Sequence, residues 1–522
     1  MGNQSTDRID VCLLLEGTYP HVRGGVSTWV HQVITALPEL SFGILYIGAD
    51  RKSSGECKYE LPSNVRSLER CFLFEASEAD NRLRCAKSPA NLDARAEEMC
   101  GAFLKCIDDR SIVHETSLED LGQLLDLVFA LARDFDFDSV WRSHHVWDSL
   151  RSFYRKLYPE EAFVDFFWNA RFLVEPLWKI FQASHLIPEA RIYHSVSTGY
   201  AGILGAMMSR SGGHPFLLSE HGIYVRERIA DLLRTEWSSS HRPHSRMMKE
   251  GVGVLRHLWI ELFVQLGRLT YDSANRIVSL FQLNADYQVE FGADPERIQI
   301  IPNGVRLGRF DSVIQTRQRL RIEQPARQNV GFLGRVVSIK DVRTLIRAAR
   351  GTCSALPEAH FLIVGPTEED EDYAEGCREL ISELQLTDRV ILTGPRNVAE
   401  ALPEFDVMVL SSVSEGLPFA VLEAFAAEMP VVSTEVGSCP EMILGGRREN
   451  PSFGPAGFIV PVGDSAALGD ALTTLLRDRT QQDRMGKAGR ARTEALYQEE
   501  VVMESYRKLY EELPVAVPLS SV

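Results

Sequence analysis

VMVLSSVSEGLPFAVLEAFAAEMPVVST, residues 407–434, decides how the chain is read. Val407 to Leu410 are four apolar residues in a row, the mark of a short buried strand. Two serines and a turn follow. A helical pattern comes next, with Val421, Leu422, Phe425 and Ala426 on one face. The helix is expected to open near Pro418, because proline fixes φ and lacks only an N–H that a first turn leaves unpaired anyway. Pro430 is expected to stop it, and Val431 and Val432 start the next strand. Such a strand–loop–helix–strand unit belongs to a parallel sheet, where ligands sit at the carboxyl ends of the strands.

Two carboxylates mark the unit: Glu415 in the loop and Glu423 on the helix, with seven residues between them. The loop carbonyls and the N–H groups of Gly416, Leu417 and Phe419 would ring a site at the positive end of that helix, which attracts phosphate. Glu423 can then accept hydrogen bonds from ribose hydroxyls, and Glu415 from sugar hydroxyls nearer the chemistry. An isolated pair of glutamates more often favours a helix dipole or faces water. The Ser-Glu-Gly-Leu-Pro setting argues for the site.

At these residues the chain resembles the GT4 family of retaining GT-B glycosyltransferases. SEGLPFAVLEAFAAEMPVV is similar to the Glu-x7-Glu donor-site motif of that family, and the likeness extends over residues 270–510. CLLLEGTYPHVRGGVSTWVHQVI near the start, SEHGIYVRER, and the long stretch between them are similar, more narrowly, to the Pel exopolysaccharide glycosyltransferases. The resemblance implies an α/β chain of GT-B fold, two Rossmann-like domains facing a cleft. It implies front-face displacement with retention, and a UDP-sugar donor (UDP-glucose or a UDP-N-acetylhexosamine) with neither a metal nor a further cofactor. The acceptor would be a growing polysaccharide, and an inner-membrane Pel-type synthase complex would be the partner.

Transfer from such a donor needs the departing diphosphate stabilised as charge builds up on it. GRVVSIKD offers Arg335 and Lys340 at a strand end, five residues apart across a loop. Both can reach one diphosphate, Arg as a fork and Lys as a point charge, and both match the basic residues the family uses there. Gly416, Leu417 and Pro418 belong to the donor motif. Val398, in the turn after GPRN, matches a position that borders the nucleobase, mostly through backbone; Arg396 is a weaker candidate. His221 ends an apolar strand, a place where histidine is commonly structural. It matches the family's cleft histidine, which contacts the transferred sugar or its reacting centre. His194, also at a strand end, is a candidate for the acceptor groove. Gly24 and Gly25 open a helix beside the expected diphosphate or acceptor, where a chain without Cβ atoms can approach closely; the spacing is not the dinucleotide GxGxxG.

The composition sets limits. A chain of 522 residues is too long for one ordinary core. Hydrophobic residues at 45% and charged residues at 25% are those of a globular protein. A net charge of −16 argues against a nucleic-acid or anionic-membrane binder. Nine scattered cysteines form no CxxC and suit reduced thiols. No apolar run approaches a membrane helix, and MGNQSTDRID lacks the apolar core of a signal peptide, so a cytoplasmic location is expected, with recruitment to the inner membrane left to partners.

Along the chain, Asp10 to Leu15 reads as a strand, VSTWVHQVITAL as a helix with Val26, Trp29, Val30, Val33 and Leu37 on one face, and FGILYIGAD as a second strand. Residues 51–185 break the β–α rhythm and read as a largely helical insertion. Asp134, Asp136 and Asp138 mimic a metal-binding DxD, but without a strand end they read better as a solvated helix end. The rhythm resumes from ARIYHS, and Phe310 to Gln328 reads as a polar interdomain link. The expected domains are 1–308 on the acceptor side, 309–495 binding the nucleotide sugar, and 496–522 as a helix crossing back. Two other readings remain: a catalytically silent nucleotide-sugar-binding subunit of a membrane complex, and a GT-B epimerase. The intact set Arg335, Lys340, Glu415 and Glu423 speaks against the silent one.

Overall fold

The computed structural model describes residues 8–75, 90–108, 117–234, 246–446, 449 and 452–513. The chain divides into two units. One runs to Ile300 and takes in the chain from Arg507; the other is Ile301–Tyr506.

The first unit is built on seven strands: β1 Ile9–Glu16, β2 Phe42–Gly48, β3 Val65–Phe72, β4 Ala190–Ser195, β5 Phe216–Glu220, β6 Arg276–Ser279 and β7 Ile298–Ile300. Their order is β3-β2-β1-β4-β5-β6-β7, and every pairing is parallel. The second unit holds β8 Gln328–Leu333, β9 Ala359–Val364, β10 Val390–Gly394, β11 Val407–Leu410, β12 Val431–Thr434 and β13 Gly457–Val460. They lie in the order β10-β9-β8-β11-β12-β13, again all parallel. Numbered within its own unit, the second sheet reads 3-2-1-4-5-6, the doubly wound order, and the first reads the same with a seventh strand added at its edge. The ligand crevice of such a sheet lies where that order reverses, outside the carboxyl ends of its first and fourth strands. These are β1 and β4 in one unit, β8 and β11 in the other.

The central strands are continuous apolar runs because helices cover both faces; Val11 to Leu15 and Val407 to Leu410 are fully buried. The helix Gly25–Ala36 sets Trp29, Val30 and Val33 against the first sheet, on the face expected. Between β3 and β4, four long helices occupy the stretch expected to be helical: Ala90–Asp108, Leu118–Asp134, His144–Leu157 and Phe163–Gln182. β3 itself falls inside that stretch and was not foreseen. It is an edge strand of mixed polarity with only Cys71 buried, so it carries no apolar run to announce it.

Two further readings are corrected. The segment Phe310 to Gln328, expected to be a polar interdomain link, lies inside the second unit and contains the helix Asp311–Glu323. Its Arg317 is buried and donates to the carbonyls of Phe405 at 3.2 Å, Asp406 at 3.0 Å, Ala427 at 3.4 Å and Glu428 at 2.7 Å. Nor does Pro430 stop the helix Phe419–Ala426. Glu428 takes a left-handed conformation, φ 54, and Met429 N–H donates back to Ala424 O at 2.9 Å. The helix therefore closes on itself in a Schellman turn before the proline is reached. The Arg317 guanidinium sits on the carbonyls of that turn, where a cation complements the helix dipole.

The three aspartates of the DxD look-alike are each committed to protein partners. Asp136 caps the helix Phe137–Trp141 through Ser139, Asp134 pairs with Arg95 at 2.7 Å, and Asp138 pairs with Arg171 at 3.0 Å. Asp136 is buried, so this is an ordered helix junction and not a solvated helix end. Among the described residues, no group of three His, Cys, Asp or Glu side chains is placed to hold a metal ion, and no helix is long and apolar enough to cross a membrane.

Candidate functional site

In the second unit Arg335, Lys340 and Glu415 follow the two strands at the reversal point, whereas Val398 follows the edge strand β10. After β8 the chain passes Arg335 and a short turn, Ser338–Lys340. Asp341 then adopts a left-handed φ of 43 and caps the next helix by accepting from Thr344 N–H at 3.2 Å. Strain of this kind persists only where the surroundings fix it. Here the loops after β8 and β11 are laced together. Ser411 Oγ donates to Lys340 O at 2.9 Å and Val413 N–H to Ile339 O at 2.9 Å. Lys340 Nζ reaches Glu415 Oε1 at 2.5 Å, and Ser412 Oγ donates to the same oxygen. With side chains 18% and 10% exposed, Lys340 and Glu415 form a partly buried ion pair at the carboxyl ends of the two central strands.

The loop that carries Glu415 is held from below. Gly437 has φ 50, and a Cβ there would lie 2.1 Å from Glu415 O, so only glycine lets the two backbones touch. Ser438 donates to Gly416 O through both its N–H and its hydroxyl, and Asn303 Nδ2 donates to Leu417 O at 2.8 Å. The carbonyls of Gly416 and Leu417 are thus consumed by protein contacts, contrary to the expectation that the loop carbonyls would line the site. The N–H groups of Gly416, Leu417 and Phe419 have no partner among the described residues. They remain as donors at the start of the helix Phe419–Ala426, whose cap residue is Pro418.

Glu423, one turn into that helix, has no hydrogen-bond partner among the described residues. Burial pushes its carboxyl up to about 7, against the pull of Arg309. A folded pKa above the ordinary 4.5 means that the native state holds the proton more tightly than the unfolded one. Glu423 therefore costs nothing near pH 4 and destabilises progressively as pH rises towards 7. Glu423→Gln removes that cost. Its melting temperature is expected to match the parent near pH 5 and to exceed it by pH 8; a gap that does not change between these values would contradict the assignment.

Arg335 and Val398 are less deeply set. Arg335 pairs with Glu369 on a partly exposed surface. Val398 opens the short helix Val398–Ala401 after Asn397 caps it through Ala399 N–H. Arg396 is held in a two-pronged contact with Glu404, which leaves backbone as the available part of that turn.

The first unit has its own set at the β1–β4 reversal. Gly24 and Gly25 open the helix that follows β1, with Gly24 as the cap. Gly24 is extended, a conformation any residue adopts, and a Cβ there would meet open space. Gly24 leaves room beside the first turn and relieves no clash. His221 follows β5, packs edge-on to Trp29 with ring centroids 4.7 Å apart, and is 8% exposed. Its Nε2 is buried without a partner among the described residues, and burial pulls the ring down to about 3, so it is neutral at physiological pH. A buried neutral imidazole with an idle nitrogen can donate or accept one hydrogen bond from a ligand. His194 is otherwise: Nδ1 meets Tyr510 Oη and Nε2 meets Ser219 Oγ, each at 2.8 Å, so both nitrogens are structural and the acceptor-groove reading is withdrawn.

Two carboxylates beside these residues escaped the sequence reading. Glu220 is fully buried and accepts from Thr198, Tyr224 N–H, Tyr271 and Gln288; burial still pushes its carboxyl up. It fixes the turn that presents His221. Glu16 ends β1 and accepts from Tyr224 Oη at 3.1 Å and Ala201 N–H at 3.4 Å, and its carboxyl is likewise raised by burial. A carboxylate closing an apolar strand was the available signal for Glu16.

Two doubly wound units of this order, with the ion pair at the second reversal point, define the GT-B fold class. Residues 327–478 match the family model described as glycosyl transferases group 1. Residues 9–296 match the model described as a domain of unknown function, DUF3492, and the chain belongs to that family. It is similar to Anabaena HepE, whose crystal structure holds UDP and glucose, with 15% identity, a TM-score of 0.57, and coverage of 97% of this chain and 100% of that one. Sucrose-phosphate synthase of Thermosynechococcus elongatus gives 17% identity and a TM-score of 0.58, covering 96% and 98%. Among curated proteins, the D-inositol 3-phosphate glycosyltransferase of Pseudarthrobacter chlorophenolicus is 27% identical over 300 residues, 56% of this chain and 64% of that relative. The match thus spans a little under two thirds of the relative's length.

Proposed function

We propose that the protein is a retaining, metal-independent glycosyltransferase that moves a hexose or N-acetylhexosamine from a UDP-sugar to a growing exopolysaccharide, in the manner of PelF. The observation that carries this reading is the Lys340–Glu415 ion pair at the β8–β11 reversal, beside the unpartnered N–H groups of Gly416, Leu417 and Phe419. A cation and a helix start favour a departing diphosphate. A carboxylate within hydrogen-bond reach of that cation can orient sugar hydroxyls. Glu423 receives the ribose, Val398 borders the base through its backbone, and Arg335 gives up Glu369 for phosphate oxygens. His221, with Gly24 and Gly25, serves the transferred sugar and the acceptor. In this assignment residues 1–308 are the acceptor side, 309–495 bind the donor and 496–522 form the returning helix. UDP and UDP-glucose in the HepE crystals support the donor class. The partner is a membrane-bound polysaccharide synthase complex and the location cytoplasmic.

The test is UDP release from UDP-glucose, UDP-galactose and their N-acetylamino forms, with and without EDTA. Turnover on one of them, retained in EDTA, is expected; no release from any would favour a silent binding subunit. Lys340→Ala is expected to weaken UDP binding by tenfold or more, as charge-assisted contacts are worth about 1.5–3 kcal/mol. Arg335→Ala should cost less, because its head is more exposed. Calorimetry with unchanged affinity in both variants would take them out of the site.

A further inference from the structure

The helical stretch between β3 and β4 encloses, with the helix Arg246–Ser273, a cavity of about 300 Å³. Its walls are almost wholly apolar, Phe103, Leu125, Leu150 and Leu177 among them. Ser149 and the thiols of Cys100 and Cys106 interrupt them, and so do three further polar side chains: Glu261 and Gln265, one turn apart on that helix, and Trp141. All three are at least nine-tenths buried. Each leaves one atom idle: Glu261 Oε2, Gln265 Nε2 and Trp141 Nε1 have no hydrogen-bond partner among the described residues. The other end of Gln265 is occupied, and that of Glu261 faces a histidine beyond hydrogen-bond distance. Glu261 Oε1 lies 3.9 Å from His257, and Gln265 Oε1 accepts from Arg268 at 3.1 Å. Native interiors satisfy nearly all buried polar atoms, so three idle ones on one apolar cavity need an explanation.

We propose that this cavity binds a single-chain amphiphile, an alkyl or isoprenoid chain ending in an uncharged hydroxyl, with the hydroxyl bonded by Glu261, Gln265 and Trp141. The size fits. An engineered apolar cavity of about 150 Å³ takes benzene, so twice that volume accommodates about twelve heavy atoms of chain. The polar chemistry fits as well. Glu261 accepts from the hydroxyl hydrogen, while Gln265 and Trp141 donate to its oxygen. Burial lifts the Glu261 carboxyl to about 7, a site that disfavours a second negative charge. A fatty acid anion is therefore a poorer ligand than the alcohol of equal length.

Calorimetry of the full chain with decan-1-ol is expected to give saturable one-to-one binding. Glu261→Leu should weaken it about tenfold, the worth of one such hydrogen bond, whereas Glu261→Gln should stay within about threefold. Leu150→Trp, which fills the space, should abolish it. A comparison independent of any variant sets decan-1-ol against 1-chlorodecane, which has no O–H. After allowance for their partition between water and alkane, the alcohol should bind about tenfold more tightly. No saturable binding by the parent, or no preference for the alcohol, overturns the proposal.

Discussion

Arg317→Met is expected to destabilise the second unit by about 3–5 kcal/mol, since each buried carbonyl left without a donor costs about 1–3 kcal/mol. Arg317 bonds four carbonyls, two before β11 and two in the turn that closes the helix Phe419–Ala426. Methionine fills most of the volume and satisfies none of them. Burial already pulls the guanidinium down to about 9, so the charge is tolerated because of these acceptors and the nearby Asp406. Asp406 is itself buried and bound by Arg327 at 3.1 Å and Arg321 at 3.4 Å. Loss of Arg317 leaves those cations in place and strips the helix end. Urea unfolding should show the loss, and hydrogen exchange should locate it in residues 424–429. A cost below 1 kcal/mol would mean that the carbonyls find water.

Why this residue was not foreseen shows where sequence reading stops. Residues 407–434 were legible because strand and helix periods are local: four apolar residues, a loop, then an apolar face at helical spacing. The helix beginning at Phe419 and the strand at Val431 follow from that pattern. The segment Asp311–Glu323 has no such face. Only Val313 and Arg317 are buried on it, and what holds it are long-range bonds from arginines to the carbonyls and carboxylate before β11. Such bonds have no sequence period. For the same reason Glu16 and Glu220 passed unassigned, since their donors come from distant segments. The reverse held for His194, whose strand-end position is shared with His221. Only its two bonded nitrogens separate them. The pairing of Lys340 with Glu415 was likewise not legible. Sequence placed one on the diphosphate and the other on the sugar, 75 positions apart, and the fold joins them.

That junction sharpens the prediction for the two glutamates, which should fail differently. Glu415→Gln is expected to lower kcat by about 10²-fold while UDP still binds. The amide keeps the shape but cannot hold the ammonium of Lys340 as an ion pair, so both groups lose the register that Ser412, Ser438 and Gly437 impose on the loop. An error of about 1 Å in the placement of a reacting group costs about that much in rate. UDP lacks the sugar, and Lys340 freed from Glu415 remains available to its phosphates, so affinity for UDP should be kept or improved. Glu423→Gln should act on binding. It sits on the helix with no partner among the described residues, poised for a group remote from the bond that breaks. Removing an interaction made equally in ground and transition states raises KM and spares kcat, here by about tenfold in KM for one charge-assisted hydrogen bond. Steady-state kinetics on both variants, with circular dichroism for folding, separates the roles. A parental kcat in Glu415→Gln, or the same KM change in both, breaks the division of labour between loop and helix.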